Sequence, residues 1–371
     1  MSDQTMPNAA AQPSGFPCQS CGARVEYAPG SHSLQCPYCG HTQAIQSTGS
    51  IREHSFDKLM ARPRRSPEQA AAHRLVCQGC GAHTESDALS QKCQFCTAPL
   101  VADTSAGDQI APEAVLPFAL DRPAARGALQ SWVKSRWFAP NRLKKVTDAE
   151  STKSTYIPHW TYDARTRSQY TGQRGDYYYV TETYTVTVNG QQQTRTRQVR
   201  KTRWRPASGT VSRDFDDVLV MGTRHLTQDK LSKLEPWPLE KAQPFQPAFI
   251  AGHHTLRYDV EPETGLNVAK GIMAPVIERD CRNDIGGDEQ RVQHVNTTYS
   301  DITYKLMLLP VWICSYLFAG KTWQVLINGQ TGEVQGARPY SKAKIVSLIA
   351  VSLLVVALIV FFFIVNGGST G

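Results

Sequence analysis

Four Cys-x-x-Cys pairs near the N-terminus constrain this chain more than any other feature. The first set is Cys18, Cys21, Cys36 and Cys39. The second set is Cys77, Cys80, Cys93 and Cys96. Between the two pairs lie 14 residues in the first set and 12 in the second, and Gly-Ala follows the first pair of each, so the sets form an internal repeat. This spacing is typical of a zinc ribbon, in which four thiolates hold one zinc ion.

The spacing also indicates what kind of zinc site to expect. Two residues between ligands let one tight turn present two thiolates to one ion. Gly22, Gly40 and Gly81 follow their cysteines where such a turn favours a positive φ, whereas Thr97 takes the corresponding place in the second ribbon. Four protein thiolates leave no open position for water or substrate, so we expect two structural Zn²⁺ ions and no catalytic zinc. Zinc binding, of order 10–16 kcal/mol, would supply most of the folding free energy of such short segments. Ribbons bind DNA, RNA or protein, or cap another domain, and the spacing leaves these roles open.

A long apolar run lies near the C-terminus. Residues 345–365 contain no charge, glycine or proline, and a helix of that length extends roughly 31 Å, against about 30 Å for a hydrocarbon core. Arg338, Lys342 and Lys344 precede the run, and no basic residue follows it. With a buried core helix as the alternative, the run predicts one transmembrane helix at 345–365, localisation at the inner (cytoplasmic) membrane and an N-terminal bulk in the cytoplasm. Disulfides are rare in that compartment, which again favours metal binding by the cysteine pairs.

Composition places the rest of the chain among folded proteins. Of its 371 residues 41% are hydrophobic and 19% charged, and the net charge of +8 permits contact with nucleic acid or anionic lipid without requiring it. The predicted segments are a disordered tail (1–15), the first ribbon (16–46), a linker (47–72), the second ribbon (73–100), a linker (101–112), an α+β domain (113–340), the transmembrane helix (345–365) and a short external tail (366–371). The predicted fold class is multidomain: two small zinc ribbons, an α+β domain with an antiparallel sheet and a long β-hairpin, and one C-terminal transmembrane helix.

Local signals predict the main elements of the 113–340 domain. Asp121 predicts the cap of a helix that continues to about Phe138, and residues 263–282 predict a second helix with Pro275 inside it. Strands are expected at about 291–299, 302–318, 321–328 and 333–337. The apolar stretch 306–319 is too short to span a bilayer and contains Pro310, so we expect a buried strand there.

Asn189-Gly190 is the strongest hairpin signal in the chain. With a two-residue loop, residue 188 faces 191, 184 faces 195 and 180 faces 199. Arg195 then lies opposite Tyr184 and Arg197 opposite Glu182 on one face of the hairpin, which permits a cation–π contact and an ion pair.

The second strand of this hairpin is strongly basic. Its cationic residues are Arg195, Arg197, Arg200, Lys201, Arg203 and Arg205. Basic charge interleaved with aromatic residues is a nucleic-acid footprint, but it equally suits anionic headgroups or an acidic protein. Charge can also simply protect a solvated sheet edge from aggregation. We take these six residues as candidate anion- or partner-binding residues.

No catalytic constellation accompanies these features. HExxH, GxSxG and GxGxxG motifs are absent from the sequence, and Gly320-Lys321-Thr322 lacks the first glycine of a phosphate-binding loop, since position 315 is serine. Asp214, Asp216 and Asp217 form an acidic cluster that could bind a cation, cap strand ends or pair with the basic hairpin. We therefore predict a protein that is not an enzyme and identify no small-molecule substrate, with an enzyme whose site in the 113–340 domain is unrecognised as the competing interpretation.

The chain resembles a bacterial family of membrane-anchored double zinc-ribbon proteins, often labelled TFIIB-type zinc ribbon-containing or primosomal-helicase-like. Besides the paired ribbons, the matching landmarks are SRWFAPNRLK (135–144), YIPHWTYDARTRSQYTGQRG (156–175), TRWRPASGTVSRDFDDVLV (202–220), DIGGDEQRV (284–292), LLPVWICSY (308–316) and NGQTGEVQGARPYSKAKI (328–345). No helicase motor is visible in the sequence. The resemblance implies a membrane-anchor or adaptor role linked to membrane-stress and SPFH-type scaffold proteins, and it carries over no catalytic residues.

Together these features predict a tail-anchored cytoplasmic adaptor that recruits a protein partner to the inner membrane, with a role in membrane stress implied by the resemblance. The alternative is a membrane-tethered nucleic-acid-binding protein that uses the ribbons and the basic hairpin.

Overall fold

The computed structural model describes residues 16–46, 49–61, 74–77, 83–85, 100–102, 110–136, 151–188, 191–224, 226, 230, 232–318, 321–336 and 341–367. Within these residues the protein is mainly β, and its α-helices number four. The prediction of an α+β domain over 113–340 is therefore wrong, because strands far outweigh helices in that segment. Long runs with the two-residue side-chain alternation of a strand dominate the segment, and two helices pack against the sheet that the strands form.

Three very long antiparallel strands form the centre of the protein. β9 (Ser151–Val188) lies between β10 (Gln191–Met221) and β13 (Glu289–Phe318). β9 has 38 residues, roughly 125 Å of chain at about 3.3 Å per residue. Burial along β9 is continuous from Ser154 to Tyr162 and then alternates as far as Gly172. The first part of the strand is thus covered on both faces of the sheet and the next part on one face only.

The predicted hairpin register is confirmed. Val188 pairs with Gln191, so two residues form the connection, and Arg195 lies opposite Tyr184 with Arg197 opposite Glu182. Asn-Gly favours such a loop because it adopts the positive φ angles of a turn whose twist matches that of the strands. Once this loop sets the first pair, each following pair along the two strands is determined as far as Phe215 and Ala164.

Short strands complete two sheets. The large sheet also contains β4 (His54–Ser55), β5 (Arg74–Cys77), β6 (His83–Glu85), β7 (Leu100–Ala102), β8 (Ala114–Val115), β11 (Gln243–Pro244), β12 (His254–Leu256), β14 (Lys321–Asn328) and β15 (Val334–Gly336). A separate three-stranded sheet consists of β1 (Glu26–Ala28), β2 (Ser33–Gln35) and β3 (Thr42–Ala44). β4 lies in the predicted 47–72 linker and pairs with β13, so part of that linker belongs to the sheet.

The helices are α1 (Phe56–Met60), α2 (Arg122–Lys134), α3 (Pro262–Ile285) and α4 (Lys342–Gly367). The predicted cap of α2 is confirmed, because the Asp121 carboxylate accepts a hydrogen bond from the Ala124 amide at 2.8 Å, but the helix ends at Lys134 rather than near residue 138. The predicted second helix is confirmed as α3 with Pro275 inside it.

Helix α3 covers the buried part of the central sheet. Its residues Leu266, Met273 and Ile277 share an apolar core with Trp160 and Tyr162 of β9. Two hydrogen bonds hold the start of the helix: the Trp160 indole donates to the Val260 carbonyl at 2.8 Å, and the Tyr162 hydroxyl donates to the Pro262 carbonyl at 2.7 Å. The aromatic side chains therefore supply both apolar area and polar contacts.

Bulges interrupt the long strands at a few points. The two strands predicted at 291–299 and 302–318 are one strand, β13, with an irregularity between Ser300 and Thr303. β10 has a similar bulge between Phe215 and Val218. Asp217 and Asp301 carry the extra length, with φ angles of 50° and 51°. Aspartate tolerates this left-handed conformation better than most residues, which explains why an aspartate occupies the bulge position in each strand.

The predicted transmembrane helix is a further correction. In the part of the chain that the structure describes, no helix is long and apolar enough to cross a membrane. The prediction of a membrane span at 345–365 is therefore wrong, and so is the inner-membrane localisation that depended on it.

Two enclosed histidines give the fold a predicted acid sensitivity. The buried His159 ring bonds the Ile157 carbonyl through Nδ1 at 2.8 Å, and burial lowers its pKa to about 4. His253 stacks on Phe118 at 4.7 Å, and burial lowers its pKa to about 4 as well. An unfolded histidine takes up a proton near pH 6.5. The folded state therefore binds fewer protons between about pH 6.5 and pH 4 and loses about 1.4 kcal/mol per histidine for each pH unit of acidification.

We expect His159→Leu to reduce this loss. Between pH 6.5 and pH 5 the free energy of unfolding of the variant should fall by about 2 kcal/mol less than that of the parent. Urea unfolding at several pH values measures the difference. Met307→Leu, next to His159 in the sheet register, is the control for packing changes and should keep the parental slope. Equal slopes for the parent and His159→Leu would contradict the prediction.

Candidate metal centre and basic arm

Four cysteines of the first ribbon converge at one point. Cys18, Cys21, Cys36 and Cys39 present sulfur atoms that all lie within 4.8 Å of one another. The Cys18–Cys39 and Cys21–Cys36 sulfur pairs are each 3.6 Å apart. Tetrahedral zinc with Zn–S bonds of about 2.3 Å requires sulfur separations of roughly 3.8 Å. The four side chains are therefore compatible with a zinc site.

Two similar turns build this cluster. Gly22 and Gly40 follow the second cysteine of each pair and have φ angles of 75° and 73°, which confirms the predicted positive φ. The Gly22 amide donates to the Cys18 carbonyl at 2.9 Å, and the Gly40 amide donates to the Cys36 carbonyl at 3.0 Å. Glycine adopts this conformation without the penalty that a Cβ imposes. Gly81 lies outside the described residues, so the same prediction for the second ribbon stays a prediction.

The first ribbon packs directly against the large sheet. Its Val25, Tyr27 and Leu34 are buried in one apolar cluster with Tyr156 and Phe249 of the larger domain. The Tyr27 ring lies 5.7 Å from the Phe249 ring. Two backbone bonds close the junction: the Tyr27 amide donates to the Ala251 carbonyl and the Gly30 amide to the Phe118 carbonyl, each at 2.9 Å. The ribbon thus completes its small core with residues of the domain on which it rests.

The second ribbon is described only in part. Cys77 is buried, whereas Cys80, Cys93 and Cys96 lie outside the described residues. The described strands of this segment join the large sheet, because β6 pairs with β12 and β12 pairs with β9. The predicted second set of ligands stays a prediction.

The basic hairpin projects beyond the rest of the sheet. β13 begins at Glu289, which pairs with Gly175, so residues 176–188 of β9 and 191–203 of β10 form a two-stranded unit that we call the arm. Each strand of the arm is roughly 43 Å long at about 3.3 Å per residue. Most of its side chains are exposed, including Tyr179 at 64%. At its base the Asp288 carboxylate accepts a hydrogen bond from the Tyr177 amide at 2.6 Å.

The arm holds several of its cations in defined positions. Arg197 and Lys201 both pair with Glu182, at 3.4 and 3.1 Å, and hydrogen bonds from Lys201 and Arg197 lower the pKa of that carboxyl. Arg200 lies over the Tyr177 ring at 4.1 Å, and Arg203 lies over the Tyr178 ring at 5.1 Å. The predicted ion pair between Arg197 and Glu182 is confirmed. Tyr184 stacks with Arg197 at 5.5 Å rather than with Arg195, because a diagonal neighbour also lies within reach.

Two candidate cations have no such contact. Neither the Arg195 nor the Arg205 side chain makes a hydrogen bond, ion pair or ring contact with the residues that the structure describes, and both side chains are exposed. The structure therefore presents two unengaged guanidinium groups on β10 beside others that are already oriented by tyrosines.

An acidic cluster lies where the two bulges meet. The carboxylate oxygens of Glu53, Asp163 and Asp217 lie within 4.8 Å of one another. The Lys305 ammonium donates to Glu53 and Asp217, and its side chain is 6% exposed. Although burial lowers the pKa of Lys305, the hydrogen bonds and charges of Asp217 and Glu53 outweigh it, and the pKa is raised. The lysine supplies the positive charge of this cluster, which is thus a satisfied structural unit.

Two further hydrogen bonds tie Asp163 to both neighbouring strands. Its carboxylate accepts from the Asp217 amide at 2.7 Å and from the Thr303 hydroxyl at 2.9 Å. The sequence singled out only Asp217 of this unit, together with Asp214 and Asp216. Asp214 is exposed opposite Arg165, and Asp216 is exposed beside the cluster, where burial of its carboxyl and the nearby Asp163 charge raise its pKa. Glu53 and Lys305 are 252 positions apart, and no local signal joins them.

The fold and the site define a mainly β protein with a long basic arm and a four-cysteine cluster compatible with zinc. The chain is similar to an uncharacterized protein, YdjG, of Bacillus subtilis (strain 168), with 26% identity over 342 residues that cover 89% of this chain and 91% of the relative. No family model and no solved structure matches the chain. The description of the relative states no activity, ligand or partner.

Proposed function

We propose that this chain is a non-enzymatic adaptor that binds a protein partner through the arm, and that each of its two ribbons holds one structural Zn²⁺. The first ribbon supports the structural role of the metal. Its four sulfur atoms lie within 4.8 Å of one another, which suits tetrahedral coordination, and its apolar residues pack into the larger domain.

The observation that carries the proposal is the exposure of the arm on both faces. A two-stranded hairpin is marginally stable on its own, and this one receives little apolar cover beyond its base. Arginines stacked on tyrosines at 4.1 and 5.1 Å stiffen it and hold cationic groups ready for contact. Tyrosine and arginine are also among the residues most enriched at the energetic centres of protein interfaces.

One observation favours a second candidate, a nucleic-acid duplex. A two-stranded β-ribbon fits the major groove of B-DNA. The row from Arg195 to Arg205 extends roughly 33 Å, close to one helical turn of about 34 Å. The expectation of a membrane-stress or SPFH-type partner rests on resemblance alone and stays a prediction.

Shortening the arm tests the proposed function. Removal of residues 178–187 and 192–201 takes an even number from each strand, so the Asn189-Gly190 connection, the pairing register and the alternation of faces are all retained. We expect the intact chain, purified from nuclease-treated lysate of its source organism, to retain a specific protein that the shortened variant loses.

Zinc content should be the same for both proteins and serves as the folding control. Retention of the protein partner by the shortened variant would contradict the role of the arm. Loss of every protein on nuclease treatment, with DNA or RNA bound beforehand, would replace the proposal with the nucleic-acid candidate.

A further inference from the structure

The two edges of the arm differ sharply in charge. Between residues 191 and 205 the β10 edge carries six cationic residues and no carboxylate. The β9 edge, residues 176–188, carries Asp176 and Glu182 and no cation. The β9 edge is also blocked at its base, where Asp288 accepts the hydrogen bond of the Tyr177 amide. The β10 edge is thus the one that attracts an anionic partner.

The β10 edge is also open for backbone pairing. In the part of the chain that the structure describes, β10 pairs with β9 alone. A strand at the edge of a sheet presents a row of free N–H and C=O groups on its outer side, and another chain can pair with them. Peptide recognition by strand addition uses such an edge: backbone hydrogen bonds supply affinity, and alternate side chains supply specificity.

Charge decides which occupant suits this edge. A second copy of the same arm would bring one row of cations against another, and like charges directly opposite one another are destabilising. A segment with acidic residues instead places each carboxylate opposite a guanidinium or ammonium group. The row of cations on β10 therefore disfavours pairing with a second copy of the arm and favours pairing with an acidic strand.

We propose that an acidic, extended segment of a protein partner adds to the outer edge of β10 as a further strand along residues 191–205. This inference rests on the proposed function, since it names the chemistry of the partner that the arm binds. Directly opposed residues share a face. Arg195, Arg197, Lys201, Arg203 and Arg205 line one face of β10, and the opposite face carries mainly threonine and glutamine along with Arg200. The preferred partner segment thus alternates acidic residues with β-branched residues such as threonine.

Synthetic peptides of alternating glutamate and threonine test this inference on the full chain. About ten residues at roughly 3.3 Å each match the length of the basic row. Two further peptides of the same sequence carry backbone N-methyl groups, one on the glutamates and the other on the threonines. Only alternate amides of an added strand point toward β10, so one methylated peptide should lose at least about tenfold in affinity while the other binds nearly as the parent peptide does.

Charge variants complete the experiment, with fluorescence anisotropy as the readout. We expect Arg195→Glu combined with Arg205→Glu to weaken peptide binding by at least about tenfold, because neither residue has a local partner that the change would disturb. The matched control reverses Lys58 and Arg122, two exposed cations on α1 and α2, and should bind as the parent does.

Three outcomes would overturn the inference. Equal binding of both methylated peptides would show attraction by charge without strand pairing. Absence of binding by the unmethylated peptide would also refute it, as would preferential binding of duplex DNA at the same salt concentration. If the arm still retains a protein from nuclease-treated lysate in the first two cases, the adaptor function stands and strand addition alone fails.

Discussion

We expect replacement of Cys36 by serine to remove the zinc ion proposed for the first ribbon and to lower the free energy of unfolding by at least about 3 kcal/mol, a fraction of the roughly 10–16 kcal/mol that structural zinc sites supply. Serine does not offer the thiolate that the other three sulfurs need to complete a tetrahedral site. Cys36 is 1% exposed and belongs to the core that the ribbon shares with the larger domain. Loss of the metal should therefore loosen the ribbon and its junction together.

Zinc content by atomic emission and stability by urea unfolding measure this effect. Hydrogen exchange gives a local readout, since the Tyr27 and Gly30 amides that bond Ala251 and Phe118 should lose protection first. Cys281→Ser is the control, because Cys281 is a buried thiol on α3, in a core cluster that the ribbon does not share. It should reduce stability without changing the zinc content. Full zinc content in Cys36→Ser would refute the assignment of this cysteine as a ligand.

Replacement of Lys305 by methionine will lower the free energy of unfolding at pH 7 by about 3 kcal/mol, the lower end of the range for breaking a buried ion pair. Methionine preserves most of the side-chain volume but removes the cation that, among the described residues, bonds Glu53 and Asp217. Three carboxylates would then remain within 4.8 Å of one another without the ammonium group that bonds two of them. Mutual repulsion and the unpaired acceptors both destabilise the folded state.

Two comparisons isolate the electrostatic cause. Adding Asp217→Asn to Lys305→Met should recover part of the lost stability, because one negative charge is removed. Lowering the pH should also shrink the difference from the parent, since burial raises the pKa of Glu53 and its protonation relieves the repulsion. A loss that is independent of pH and unaffected by Asp217→Asn would point to packing alone.

Several local features were predictable because short-range chemistry decides them. Asn189-Gly190 selects a two-residue turn, and every pair from Val188–Gln191 to Phe215–Ala164 follows from it. The cysteine spacing and the glycines after each pair bring four sulfurs together within one short segment. Asp121 caps α2 by a contact three residues away. In each case the interacting groups are neighbours along the chain or are set in register by a single turn.

The prediction of a membrane span shows the limit of reasoning from one run of residues. Composition over 345–365 met the length of a bilayer core, but the described structure contains no helix that is long and apolar enough. The sequence patterns likewise underestimate the share of β-strand in the 113–340 segment. Sequence periodicity predicted two separate strands near residue 300, whereas a bulge at Asp301 joins them into one strand of 30 residues.

The sequence by itself determined the first cysteine cluster, the hairpin register and the basic row on β10. Only the tertiary structure decided that the first ribbon rests on Phe249, that Lys305 satisfies Glu53 and Asp217, and that the arm extends beyond β13 with its β10 edge open. The former depend on residues close in sequence or aligned by one turn. The contacts that the tertiary structure decided join residues separated by 88 to 252 positions. Closing such long loops costs chain entropy, and no local sequence signal specifies which distant segments will pack together.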